Sequence, residues 1–262
     1  MEEWQFKIGS HVWDDVDLVV FDKDGTIIDF YYYWSQMVEL RAKQISDLSG
    51  WNSKELIAGL VDVMGIDTTH QTFKPEGPVG LFPRTVVCQT AFAFANQQDP
   101  RVSLDLCQKA FERADEISAK NLNGLIRPVE GVLDLIRKLH EKKFSLAVAT
   151  TDRTDRAELA LDILGIRNLF RVVAGFDKAE KLKPHPDLLF FVNEQTGCLP
   201  EQSLMIGDTD MDVEMARRAD YAGAVRIKGH GVITEKWERM AVIENINEIH
   251  VLARTDQKLG KG

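Results

Sequence analysis

Apolar positions along the chain fall into two patterns. Short continuous runs occur at Val16 to Phe21, Phe144 to Thr150, Phe170 to Ala174, Ser203 to Gly207 and Ala224 to Ile227. Runs of this kind suit strands buried on both faces of a parallel sheet. Between them the spacing turns helical. Val132, Leu135, Ile136 and Leu139 stand at i, i+3, i+4 and i+7, as do Ala157, Ala160, Leu161 and Leu164, after which Gly165 stops the helix. Pro186 opens a further helix over 187–194, and another is expected over 213–219. Strands alternating with helices predict an α/β domain with a doubly wound parallel sheet.

Residues 30–127 have a different character. Helices are expected at Tyr33 to Leu48, after Ser53 (carrying Leu56, Ile57, Leu60, Val61 and Met64), at Arg84 to Ala95, and after Ser103 (carrying Leu104, Phe111, Ala114 and Ile117). The loop over 65–83 holds three Gly and three Pro, a length usual for functional or mobile segments. The expected organisation is therefore an α/β core from 1–29 and 128–253, interrupted after its first strand by an all-helical insert over 30–127. The polar, Gly/Lys-rich stretch 254–262 is expected to be a flexible tail.

Composition narrows the function classes. The chain has 262 residues, 44% of them hydrophobic, and a formal charge of −9. That excludes a disordered chain, a collagen-like fibre and a coiled coil. The acidic balance argues against nucleic acid as a polymeric partner, which needs a basic field. Cys88, Cys107 and Cys198 are odd in number, far apart and without CxxC spacing, so they read as neither a disulfide framework nor a zinc site. The first residues, Met-Glu-Glu-Trp-Gln-Phe, do not read as a secretory signal and no run of 18 apolar residues occurs, so the expected compartment is the cytoplasm, with no membrane partner.

Four motifs carry chemistry. Asp22-Lys23-Asp24-Gly25-Thr26 ends the first strand, and in open α/β sheets ligands bind beyond the carboxyl ends of the strands. Asp208-Thr209-Asp210-Met211-Asp212 ends another, and three acids in five residues repel unless a cation neutralises them. Oxygen ligands without Cys or His favour Mg²⁺. Asp210 reads equally well as an acid at a helix start. Thr150-Thr151-Asp152 also follows a strand, where hydroxyls can hold an anion or cap a helix. Lys183 stands before Pro184 and Pro186 and offers a point charge for phosphate.

In this order and spacing, the four motifs resemble those of the haloacid dehalogenase-like hydrolase superfamily, nearest to its phosphoglycolate phosphatase-like group, over about residues 15–250. The resemblance implies a Rossmann-like core with a helical cap. It implies Asp22 as nucleophile, Asp24 as general acid/base, Thr150 and Lys183 as phosphate ligands, Asp208 as a metal ligand with Asp22 and the carbonyl of Asp24, and Asp212 behind them orienting Lys183 or a metal-bound water. The implied reaction is Mg²⁺-dependent hydrolysis of a small phosphomonoester, such as phosphoglycolate, a nucleotide or a sugar phosphate, through an aspartyl phosphate on Asp22. Asp24 argues against a dehalogenase, whose halide leaves without a proton. A phosphotransferase or phosphomutase on the same site is the alternative. The complete residue set argues against a binding protein that keeps only the fold.

Three positions depart from the family pattern. Lys23 stands where Leu is frequent, and alternation along the strand predicts that it points away from the nucleophile with little effect. Thr151 stands where Asn is frequent and is a candidate loop contact to substrate. Asp220 follows the last motif's helix where Gly is usual, a position Asp tolerates. For substrate choice the insert offers the aromatic run Tyr31 to Trp34, which reads also as packing, and Arg84, which reads either as a ligand for a substrate carboxylate or second phosphate or as a solvated residue at a helix start.

Overall fold

The computed structural model describes residues 4–80, 82–229, 233–234 and 236–253. The tail expected over 254–262 lies outside the described residues. In chain order, β1 (Trp4–Ile8), β2 (His11–Trp13) and β3 (Leu18–Phe21) lead into α1 (Phe30–Ser49), α2 (Lys54–Val63), β4 (Ile66–Asp67), β5 (Thr72–Phe73), α3 (Arg84–Gln98) and α4 (Leu104–Lys120). Next come α5 (Val132–Glu141), β6 (Ser145–Ala149), α6 (Thr154–Ile163), β7 (Val172–Ala174), α7 (Asp187–Thr196) and β8 (Ser203–Gly207). The last described elements are α8 (Asp210–Arg218), β9 (Gly223–Ile227), β10 (Met240–Ile243) and β11 (His250–Ala253). Two compact units result, Met1–Ile28 with Pro128–Gly262, and Asp29–Arg127.

In the first unit the five apolar runs, joined by β10, form a six-stranded parallel sheet in the order β10-β9-β8-β3-β6-β7. Every residue of β3, β8 and β9 is buried, as strands covered by helices on both faces require. The helical period of α5 buries Val132, Leu135, Ile136 and Leu139. From β3 the chain builds outward through β6 and β7 on one side, then returns to place β8, β9 and β10 on the other. The strand order therefore reverses between β3 and β8, where an open sheet leaves a crevice at its carboxyl end. The helix after β8 begins at Asp210, three residues before the expected start, because Thr209 and Asp212 cap it reciprocally. Asp220, just beyond it, takes the left-handed conformation with φ 56°.

The apolar runs did not predict β10 or the separate antiparallel sheet β11-β1-β2. These strands alternate buried and exposed positions instead of running apolar throughout. In β1, Phe6 and Ile8 are buried and Lys7 is exposed, the pattern of a sheet covered on one face.

The second unit packs its helices on a core that includes Val38, Ile45, Leu60, Met64, Cys88 and Phe111. Ser53 and Ser103 accept the backbone N–H groups of Leu56 and Leu106 and so start α2 and α4. The expected all-helical character is interrupted inside the 65–83 loop, where β4 and β5 pair over two residues each. Asp67 closes that turn by accepting the N–H groups of Thr69 and His70 at 2.9 and 3.0 Å. A Cβ on Gly77 would lie 2.2 Å from the Cα of Gly65, so the loop crosses itself where neither residue has a side chain.

No described helix is long and apolar enough to cross a membrane. The three cysteines are free.

Candidate active site

The sheet brings three of the sequence motifs to the ends of adjacent strands. Phe21 in β3 pairs with Ile206 in β8 and Val148 in β6, so Asp22, Asp208 and Thr150 follow neighbouring strand ends. The N–H of Asp22 donates to the carbonyl of Ile206 at 2.8 Å, extending the β3–β8 ladder into the motif. Asp22 is 7% exposed. Lys183, brought in by the segment before α7, donates from Nζ to Asp22 Oδ1 and to Asp212 Oδ1, each at 2.6 Å. The other oxygen of Asp212 accepts from the N–H and hydroxyl of Thr209, so Asp212 holds Lys183 and caps α8 at once. Carboxylate oxygens of Asp22, Asp208 and Asp212 lie within 4.8 Å of one another.

Three carboxylates facing one ammonium leave an excess of two negative charges. Burial pushes the Asp22 carboxyl up to about 7; Lys183 pulls it down, and Asp212 and Asp24 push it up again. Burial, then Asp22 and Asp212, push Asp208 up to about 8 against the pull of Arg226 and Lys183. Burial by itself would lower Lys183, but Asp212 and Asp22 outweigh it and hold the ammonium above its usual range. Oδ1 of Asp208 is buried and takes no hydrogen-bond partner among the described residues. Buried carboxylate oxygens of this kind need a donor or a cation. A hard divalent cation would supply the missing two charges and a partner for that oxygen, so the residues present fit one.

Gly25 makes room for the arrangement. Its φ is +85°, and a Cβ there would lie 2.0 Å from Asp208 Oδ2. The glycine therefore serves both the turn and the close approach of Asp208.

The remaining predicted residues are placed as follows. Thr150 is 1% exposed and its Oγ1 accepts from the N–H of Asp152 at 3.1 Å. Thr151, beside it, is exposed. Asp24 is not bonded to the Asp22–Lys183 cluster; its Oδ1 accepts from Lys23 Nζ at 2.6 Å. Lys23 points away from Asp22, as expected, and is buried among other acids, with its Nζ also 3.3 Å from Asp152 Oδ2. Lys23 lies in a turn that closes on its own carbonyl through Ile27 and Ile28. Arg84, in the second unit, donates to Asp115 Oδ2 at 2.9 Å and lies over the Phe111 ring. Tyr31 and Tyr32 donate to the carbonyls of Asp67 and Gly124 within that unit.

Sequence reasoning did not single out Arg226. It is 2% exposed in β9, donates to Asp210 Oδ1 at 3.2 Å, and is one of the cations that pull on Asp208. The signal was present as one arginine inside the apolar strand Gly-Ala-Val-Arg-Ile, since buried arginines are rare unless paired.

A model of the haloacid dehalogenase-like hydrolase family matches residues 19–225. The pyrophosphatase PpaX of Halalkalibacterium halodurans is 33% identical over 101 residues, 38% of this chain and 47% of that relative. The match thus spans about half the length of that relative. A phosphoglycolate phosphatase of Pseudomonas putida is 27% identical over 202 residues, 77% of this chain and 66% of the relative. Among solved structures, a HAD-superfamily hydrolase of subfamily IA, variant 1, from Geobacter sulfurreducens superposes with TM-score 0.60 at 20% identity. That superposition covers 88% of this chain and 93% of the other, and shows a shared fold.

Proposed function

The chain belongs to the haloacid dehalogenase-like hydrolase family, and from that membership we propose that it is a Mg²⁺-dependent phosphatase of a small phosphate ester or anhydride, working in the cytoplasm through an aspartyl phosphate on Asp22. The observation that carries this reading is the Lys183 ammonium bonded to both Asp22 and Asp212, beside the partnerless buried oxygen of Asp208.

An Asp22 oxygen attacks phosphorus in line with the leaving oxygen, and water later releases the phosphoryl group from Asp22. Lys183, fixed by Asp212, sits where it can hold the charge that spreads over the non-bridging oxygens, together with the Thr150 hydroxyl. Asp24 gives a proton to the leaving oxygen and takes one from the hydrolytic water. Mg²⁺, held by Asp22, Asp208 and the carbonyl of Asp24, would neutralise the charge between nucleophile and substrate. The hydrolase family and the phosphatase names of the curated relatives favour water over a second hydroxyl as acceptor.

The test is inorganic phosphate release from a panel of phosphomonoesters and pyrophosphate, with Mg²⁺ and with chelator, against an Asp22→Asn control. Release that needs both the metal and Asp22 is the expected result. Release that survives chelator would remove the metal from the reading, and release that survives in the control would remove Asp22.

Metal binding should also be visible without turnover. Asp22 and Asp208 hold protons in the fold to higher pH than the value of 3.8 they have when unperturbed. The folded state therefore binds more protons than the unfolded one between about pH 4 and pH 8, and the metal-free protein loses stability as pH rises through that window. Added Mg²⁺ should return it, so the Mg²⁺-induced rise in Tm should grow across the same window. A rise independent of pH would place the metal away from these carboxyls. Gly25→Ala should weaken Mg²⁺ binding by about 10–100-fold in the same melts, because the new methyl group displaces Asp208. Unchanged binding would show that Asp208 is not a ligand.

A further inference from the structure

Lys23 is the second buried ammonium at the sheet's carboxyl end, and the mechanism above leaves it without a role. Its side chain is 6% exposed, against 34% for Asp24 and 28% for Asp152. Both ends of the residue are held. The carbonyl of Lys23 accepts from the N–H groups of Ile27 and Ile28 at 2.9 Å each, and its Nζ lies 2.6 Å from Asp24 Oδ1 and 3.3 Å from Asp152 Oδ2. Asp152 is fixed in turn. Its N–H donates to Thr150 Oγ1, its carbonyl accepts from Phe176, and its Oδ1 accepts from the N–H of Arg153. The ammonium thus joins the loop after β3 to the loop after β6. A buried cation persists only where its partners are well placed, so the position of Lys23 dictates where the Asp24 carboxylate rests.

We propose that Lys23 is a positioning residue for Asp24, holding Oδ1 so that proton exchange with the leaving group falls to Oδ2, and tying that carboxylate to the Thr150 loop. The proposal rests on the phosphatase reading, in which Asp24 is the acid. It makes Lys23 a determinant of which leaving groups the enzyme handles. An alkoxide must be protonated as it departs, whereas a nitrophenolate departs without a proton.

The experiment compares an alkyl phosphate with p-nitrophenyl phosphate in the parent, Lys23→Met and Lys23→Arg proteins. Lys23→Met should lower kcat for the alkyl ester by about 10–100-fold, and by at least about tenfold less for the aryl ester. Lys23→Arg, which keeps a donor at this site, should recover most of the alkyl rate. Melting temperatures supply a readout independent of turnover. The destabilisation by Lys23→Met should be smaller in an Asp24→Asn background than in the parent. Equal losses on the two esters, or additive melting shifts, would overturn the proposal while leaving the phosphatase reading intact. A parent protein that hydrolyses neither ester nor any other member of the panel would refute that reading and this proposal together.

Discussion

Asp22→Asn should abolish phosphate release, by about 10⁴-fold or more, and should leave the metal-free protein at least as stable as its parent. The first effect follows from chemistry, because an amide does not attack phosphorus. The second follows from the surroundings of the side chain. Asp22 is buried beside Asp212 and Asp208, and burial pushes its carboxyl up to about 7. Ionising it in the fold therefore works against stability. An amide of the same shape removes that charge, and Lys183 keeps Asp212 at 2.6 Å. The advantage of the variant should grow as pH rises from about 4 to about 7 and reach on the order of a few kcal/mol. Phosphate release and thermal melts on the same preparations check both halves. A variant that is dead because it is unfolded would contradict the electrostatic reading of the site. A stable variant that still turns over would place the nucleophile elsewhere.

Lys183→Met should have the largest effect on stability. Lys183 has a side chain 2% exposed, and its partners Asp22 and Asp212 are 10% and 1% exposed. Removing the ammonium leaves two buried carboxylates facing each other with no cation between them. Breaking a buried ion pair from one side costs about 3–5 kcal/mol. The deficit should shrink as pH falls, since protons then neutralise the stranded carboxyls, and urea melts across about pH 5–8 measure it. Activity should fall by about 10²–10³-fold, the usual loss when a transition-state donor is removed. Arginine should not restore it, because a planar fork does not reproduce a point charge bonded to two carboxylates. A constant deficit across that pH range would mean that packing, not charge, accounts for the loss.

The sequence was most legible where structure is local. Continuous apolar runs marked β3, β6, β7, β8 and β9 because both faces of those strands are covered. Ser53 and Ser103 marked two helix starts because a cap and its N–H partner lie three residues apart. By contrast, β10 and the β11-β1-β2 sheet were not read, since short alternating strands depend on a partner for their meaning. The two-residue ladder of β4 and β5 was missed for a related reason. It forms through the Asp67 turn and the Gly65–Gly77 crossing rather than through any apolar period.

The sequence by itself singled out candidate residues and determined that Asp22, Asp208 and Thr150 follow strands, because strand ends and turn residues are properties of short segments. Only the tertiary structure decided how their charges are shared. Lys183 meets Asp22 from 161 residues away and Asp212 from 29. Lys23, adjacent to Asp22 in sequence, turns to Asp24 and Asp152. Arg226 comes to bear on Asp208 from another strand of the sheet. Ion pairing at the carboxyl end of a sheet depends on strand order and on which rotamers burial permits, and both are set by packing between elements distant along the chain.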